Sequence, residues 1–185
     1  SRYLDFIVDV VPDKDEKIQI MYGIRGEREL TEHKLEHLDG YEGSKPVRIG
    51  NAAFEQKQND IYGVLMDVFY QQLMHFDVSL QTSEALWTIT RSVVRIVEEN
   101  WEDPDRGIWE IRNENKHFTF SKVLCWAAVD RGVKIARALH KSRYVEPWTK
   151  LRARIRKDIE EKAWNKKVGA FTQSYGSRHL DAANL

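Results

Sequence analysis

The sequence has little cysteine and no long apolar run, and each shortage excludes a class of protein. Cys125 is the single cysteine among 185 residues, so the chain can form no internal disulfide. It lies in the apolar run 123–129, where a small buried hydrophobic residue is a better interpretation than a catalytic thiol. No apolar stretch approaches the ~18 residues needed to span a bilayer, so we predict no membrane segment and a cytoplasmic location.

Charge of one sign is not in excess either. The 29 Lys and Arg residues balance the 29 Asp and Glu residues, so the formal net charge is zero. Because nucleic acids and anionic membranes attract basic surfaces, we predict neither as a partner. Apolar residues make up 42% of the chain, which is enough for the core of a globular domain.

Motifs for metal and phosphate binding are incomplete. His33 and His37 are four residues apart and could share one face of a helix, as zinc ligands do, but no third ligand follows in the expected pattern. The run from Gly23 to Gly26 lacks the Gly-Lys-Ser/Thr ending of a phosphate-binding loop. We therefore predict no metal site and no cofactor.

Two kinds of apolar pattern alternate along the chain and predict an all-α fold. Segment 61–76 and the first half of segment 118–139 are apolar nearly all round, which is typical of helices buried on most sides. Each is followed by a segment with one apolar face and one charged face, which is typical of a half-exposed helix. These two apolar faces consist of Leu86, Ile89, Val93, Ile96 and Trp101, and of Trp148, Leu151, Ile155 and Ile159.

The connections after the half-exposed segments resemble each other and define a repeat. In both, a tryptophan and a polar turn precede a glycine, an apolar residue and an aromatic residue. Gly107 to Gly169 and Trp109 to Phe171 are both steps of 62 residues. This period, holding two helices, predicts stacked helical hairpins in two rings, with the apolar helices inside. Periodicity alone leaves both a toroid and a solenoid open.

The first 55 residues are less regular. An apolar helical face near the N-terminus ends at Pro12, and residues 18–22 form a short strand-like run. Residues 23–50 contain five glycines and few apolar residues, which predicts a long ordered loop of the kind that is often functional. A further buried helix is predicted to start near Ser177. Since both ends interrupt an apolar pattern, we expect a fragment of a longer protein.

Glu110 follows a tryptophan on one of the repeated connections, between an outer and an inner helix. In a toroid this connection lies at the rim of the central pocket. The indole of Trp109 would exclude water from one side of the carboxyl group, which favours the protonated acid that glycosidic bond cleavage requires. A single glutamate in a loop is more often a surface residue, so its position alone does not make it catalytic.

The sequence around Glu110 has a recognisable pattern. The first run is Gly107-Ile108-Trp109-Glu110-Ile111-Arg112, and the second is His117-Phe118-Thr119-Phe120-Ser121-Lys122. Together they resemble the catalytic-acid segment of bacterial glycoside hydrolase family 15, which contains glucoamylases, glucodextranases and some trehalases. Runs 26–30, 38–51, 58–63 and 173–176 also match, in the right order. The resemblance implies that residues 1–185 are about half of an (α/α)6 glucoamylase-like catalytic domain, truncated at both ends.

The same resemblance implies an inverting hydrolase that releases glucose from α-linked oligosaccharides or disaccharides. Glu110 would be the general acid and Trp109 a wall of the terminal glucose subsite. For the other implied substrate-binding residues, a structural ion pair or a helix cap is an equally good interpretation. These residues are Asp60, Arg112, Arg48 and Lys122.

Two parts of the family's site fall outside the sequence. Its Trp-x-Arg-Asp segment would precede Ser1, and its catalytic base would follow Leu185. Inversion needs two carboxyl groups roughly 6.5–9.5 Å apart, so we expect residues 1–185 to be inactive alone. Exposed apolar faces on the inner helices predict self-association through the truncated edges. The alternatives are a non-catalytic sugar-binding or regulatory relative and an unrelated helical repeat that binds protein.

Overall fold

The computed structural model describes residues 2–11, 18–110 and 114–185, which form five α-helices and two short β-hairpins. The helices are α1 (Arg2–Val10), α2 (Ile61–His75), α3 (Leu80–Asn100), α4 (Thr119–Ala138) and α5 (Ser142–Lys162). The strands are β1 (His33–Lys34), β2 (Arg48–Ile49), β3 (Trp164–Asn165) and β4 (Ala170–Phe171). The all-α prediction is confirmed. None of the helices within the described ranges is both long and apolar enough to cross a membrane.

Helices α2 to α5 form two hairpins that lie side by side. Helix α4 packs closely against α2 and α5 and less extensively against α3. Helices α3 and α5 are each 21 residues long, and both their first and their last residues are 62 positions apart. The predicted repeat is therefore confirmed. The arrangement is part of an all-α toroid, with α2 and α4 as inner helices and α3 and α5 as outer ones.

The core lies between these helices. Its fully buried side chains include Phe69 of α2, Val94 of α3, Val129 of α4 and Ile155 of α5. Helices α2 and α4 approach closely at Gly63, where a Cβ atom would lie 2.5 Å from the carbonyl oxygen of Leu124. Cys125 is fully buried, and this burial raises the pKa of its thiol to about 12. The prediction of a small buried hydrophobic residue is confirmed.

The inner helices also carry apolar side chains that remain exposed. Val64 of α2 is 49% exposed and Val123 of α4 is 38% exposed. Such side chains are what an inner ring presents where a further unit of a toroid could pack. Self-association through them stays a prediction.

The long loop near the N-terminus contains a hairpin. Strands β1 and β2 pair antiparallel, with His33 opposite Ile49. Because His33 lies on a strand and His37 in the turn that follows, the two histidines do not share a helix face. Across the parts of the chain that the structure describes, no three His, Cys, Asp or Glu residues are grouped as metal ligands would be.

The predicted strand at residues 18–22 is wrong. The backbone amide of Gln19 donates to the Tyr22 hydroxyl (3.1 Å), and its side chain donates to the carbonyl of Arg28 (2.8 Å). These bonds fold the segment against its own loop, so its backbone has no strand partner. Apolar residues at the right spacing were therefore not sufficient to form a strand.

The predicted helix from Ser177 is also wrong within this chain. The Ser177 carbonyl accepts a hydrogen bond from the side chain of Asn165 (2.8 Å), and the His179 carbonyl accepts one from the amide of Gln173 (2.8 Å). These carbonyls are engaged by the preceding hairpin and by the residue Gln173 just after it, so they are not available to a helix. Only a short 3-10 turn forms further on, over Ala182–Asn184.

Candidate active site

Three chain segments meet at one end of the two hairpins. The first segment (57–60) precedes α2, the second (101–118) joins α3 to α4, and the third (163–185) follows α5. The amide of Arg106 donates to the Lys57 carbonyl (3.0 Å), which joins the first segment to the second. The amide of Thr119 donates to the Gln173 carbonyl (2.9 Å), which joins the third segment to the start of α4.

The connection between α3 and α4 is closed at its base. Asp105 and Lys116 exchange two backbone hydrogen bonds, each 2.9 Å long. Above this pair, Gly107 has a φ of 67°, in the left-handed region that favours glycine. A Cβ at this position would also lie 2.8 Å from the ring of Phe118. The chain therefore turns sharply at Gly107 because only glycine fits both constraints.

Trp109 and Glu110 lie at the tip of this turn. The amide of Glu110 donates to the Gly107 carbonyl (3.2 Å), and its side chain is exposed. Its φ of 51° is left-handed, which costs an L-residue on the order of 1–2 kcal/mol. Such backbone strain recurs at functional sites. Trp109 is 55% exposed, and its indole Nε1 donates to both carboxylate oxygens of Asp181, at 2.9 and 3.0 Å.

Lys122 supports the connection from inside the fold. It is 1% exposed, and its Nζ donates to the carbonyls of Trp101 and Asp103, the second at 2.7 Å. Burial lowers the pKa of this ammonium, because the charged form is the one that loses water. Both hydrogen bonds from Lys122 Nζ end on backbone carbonyls of the connection, so Lys122 lies beneath the exposed turn rather than at its tip.

Asp60 is buried at the start of α2, beside the connection. It is 7% exposed and makes no capping hydrogen bond, although it occupies the N-cap position. Its Oδ1 has no hydrogen-bond partner among the described residues. Burial raises the pKa of this carboxyl to about 6; a backbone hydrogen bond opposes this rise, and the nearby carboxylate of Asp105 adds to it. Desolvation thus outweighs the favourable helix N-terminus.

Two further residues were predicted to bind substrate, Arg48 and Arg112. Arg48 lies on strand β2, where it pairs with Glu32 at 3.1 Å, which is the ion-pair alternative for this residue. Arg112 lies outside the described residues.

Two aspartates that sequence patterns did not single out are part of the same end of the fold. Asp105 is fully buried, its Oδ2 accepts a hydrogen bond from the Asn59 amide (2.8 Å), and burial raises its pKa. Asp181 accepts the Trp109 indole hydrogen bond across 72 residues. The sequence marks each aspartate locally as a turn or cap residue, since Asp105 follows a proline in a polar turn and Asp181 caps the short turn that follows it. Neither signal indicates its distant partner.

This end of the fold thus presents an exposed carboxyl group beside an exposed aromatic ring, above a buried acid. Such a set can donate a proton to a sugar oxygen while the ring packs on the sugar. The model of one protein family, described as Glycosyl hydrolases family 15, matches residues 2–185. The chain belongs to glycosyl hydrolase family 15.

Curated relatives of this family-15 chain match over nearly all of it. A protein named Trehalase from Mycobacterium tuberculosis is 42% identical over 99% of the chain and 27% of its own length. A Trehalase from Thermoplasma volcanium is 33% identical over 100% of the chain and 29% of its own length. Trehalase 2 from Sulfolobus acidocaldarius is 32% identical over 100% of the chain and 32% of its own length. The chain therefore spans about a third or less of these relatives. No solved structure matches the chain significantly.

The buried acid of this family-15 chain predicts a dependence of stability on pH. We expect Asp60→Asn to stabilise the parent protein, meaning the polypeptide that contains this chain, near neutral pH. The folded-state pKa is raised from 3.8 to about 6, so between these values the folded state keeps a proton that the unfolded state has lost. Stability therefore falls as pH rises through this window, by up to about 3 kcal/mol.

Thermal unfolding measured at about pH 4 and near neutral pH checks this expectation. From about pH 4 to near neutral pH, the melting temperature of the wild type should decrease by more than the melting temperature of Asp60→Asn does. The matched control is Asp77→Asn, because Asp77 is exposed just beyond α2 and its change should leave the pH dependence intact. If Asp60→Asn lowers stability near neutral pH and keeps the full pH dependence, the assignment of a buried protonated acid is wrong.

Proposed function

We propose that the parent protein is an inverting glycoside hydrolase that cleaves trehalose, with Glu110 as its general acid. The observation that carries this proposal is that the relatives described above, at 32–42% identity over 99–100% of the chain, are each named trehalase. Trehalose is a more specific substrate than the α-linked oligosaccharides or disaccharides that the sequence resemblance implies. In the same proposal, residues 1–185 are part of an (α/α)6 catalytic domain.

The position of Glu110 supports the role of acid. Its carboxyl group is exposed at the tip of a turn that is held at its base by the Asp105–Lys116 pair. A glycosidic oxygen can reach it there, while the rim is fixed from beneath by Lys122. The exposed Trp109 ring next to it offers an apolar face to the C–H groups of a glucose unit.

The proposed reaction needs no cofactor. Glu110 gives its proton to the oxygen between the two glucose units as the bond from that oxygen to the anomeric carbon breaks. A water molecule forms the new bond on the opposite face, and a second carboxylate takes the proton that this water loses. We propose that this base lies in a part of the parent protein outside residues 1–185. It would lie roughly 6.5–9.5 Å from Glu110.

Proton NMR of the first products tests this proposal. The parent protein is mixed with trehalose, and the two glucose anomers are quantified before mutarotation equilibrates them. Inversion gives equal amounts of α- and β-glucose, because only the glucose that is attacked by water changes configuration. Formation of α-glucose alone would indicate retention. Maltose and isomaltose are the comparison substrates, and faster cleavage of either one would contradict the trehalose assignment.

A further inference from the structure

The indole of Trp109 is held by a carboxylate that no sequence motif places beside it. Trp109 Nε1 donates to Asp181 Oδ1 at 2.9 Å and to Oδ2 at 3.0 Å, and the two residues are 72 positions apart. A hydrogen bond to an ionised acceptor is about twice as strong as one between neutral groups. The ring of Trp109 thus has its N–H edge fixed, while the side chain as a whole remains 55% exposed.

Asp181 is itself anchored. Its Oδ1 accepts a hydrogen bond from the amide of Ala183 (2.9 Å), so it caps the short turn that follows. Asn184 in that turn donates to the carbonyl of Thr172 (3.2 Å). The same carbonyl accepts a hydrogen bond from the Thr119 hydroxyl (2.6 Å), at the first residue of α4. The carboxylate is therefore connected to the start of α4 by side-chain bonds.

Trp109 is anchored at the same place from the other side. Its turn is closed by the bond from the Glu110 amide to the Gly107 carbonyl. Gly107 packs on the ring of Phe118, which is 2% exposed and immediately precedes α4. The Trp109–Asp181 bond thus closes a ring of contacts, both sides of which end at residues 118–119. If the indole rotated, this bond would break.

We propose that Asp181 is a positioning residue that fixes the plane of Trp109 and, through it, the approach of the glucose unit to Glu110. The inference rests on the proposed function, because it assigns the exposed ring of Trp109 to the substrate. Since the indole N–H is taken by Asp181, Trp109 acts on the sugar through its ring face and not through a hydrogen bond. A misplaced ring would misplace the glycosidic oxygen relative to the acid.

A double-mutant cycle in the parent protein tests this inference. Asp181→Ser keeps a capping oxygen for Ala183 but is too short to reach the indole. Trp109→Phe keeps an aromatic face but removes the N–H. We expect each to lower kcat/KM for trehalose by on the order of 10- to 100-fold, since a displacement of about 1 Å can cost this much. The kcat/KM of the double variant should be no lower than that of the less active single variant, because both changes break the same bond.

Asp181→Asn is the conservative variant. Its amide oxygen can still accept from the indole, so we expect it to remain within about threefold of wild type. Additive losses in the cycle, or an unchanged kcat/KM for Asp181→Ser, would overturn the inference.

A spectroscopic measurement separates this inference from the proposed function. In parent protein with 15N-labelled tryptophan, the Trp109 indole resonance is the one missing from Trp109→Phe. Asp181→Ser should shift its proton upfield, because the bond to the carboxylate is lost; an unchanged resonance would contradict the positioning role. If wild-type protein cleaves no trehalose, the proposed function fails. If wild-type protein cleaves trehalose but the indole resonance is unchanged or the losses in the cycle are additive, only the role of Asp181 is wrong.

Discussion

Glu110→Gln is expected to lower kcat for trehalose in the parent protein by on the order of a thousandfold, which is the contribution typical of a positioned acid. Glutamine has nearly the same shape but cannot give a proton to the glycosidic oxygen. Because binding of the sugar ring depends on neighbouring groups such as Trp109, KM should change by only a few fold. Steady-state kinetics with trehalose measures both quantities.

Two comparisons make this result specific to an acid. Glu114→Gln changes another exposed glutamate of the same connection and should leave kcat unchanged. α-Glucosyl fluoride has a leaving group that needs little protonation, so Glu110→Gln should lose far less activity on it than on trehalose. If the two substrates lose activity equally, Glu110 acts in some way other than proton donation. If trehalose cleavage is largely retained, the assignment of Glu110 is wrong.

The helical hairpins were predictable because their signal is local. Burial of one helix face imposes an apolar spacing that any stretch of about 20 residues displays by itself. The 62-residue step between repeated connections was therefore sufficient to align α3 with α5 along their whole length. The same step placed Trp109 and Glu110 on a connection at the rim, while only the family resemblance gave Glu110 a chemical role.

The contacts that hold the site were not predictable in this way. Asp105 bonds to Asn59 across 46 residues and Asp181 to Trp109 across 72 residues, and such pairs have no period in the sequence. The end of the chain shows the same limit. Its apolar spacing predicts a helix from Ser177, but hydrogen bonds to Asn165 and Gln173 take the backbone carbonyls that a helix would need. Tertiary partners decided the local structure there.

Lys122→Met is expected to destabilise the parent protein by about 3 kcal/mol, because net hydrogen bonds from a charged donor contribute roughly 1.5–3 kcal/mol each and two are lost. Methionine fills much of the volume left by the lysine stem, so the cost comes mainly from the buried carbonyls of Trp101 and Asp103. Urea denaturation followed by circular dichroism measures the change. Lys116→Met is the matched control, because Lys116 is exposed on the same connection.

The activity of the Lys122 variant carries a second, independent expectation. The two carbonyls that it releases belong to the segment that leads to Glu110, so kcat/KM should fall even at temperatures where the variant remains folded. Glu110→Gln should instead lose turnover with no comparable loss of stability, since its side chain is exposed. A Lys122→Met protein that is as stable as Lys116→Met would show that the buried ammonium does not hold the connection. A destabilised variant with normal kcat/KM would show that the connection is held but that Glu110 does not depend on it.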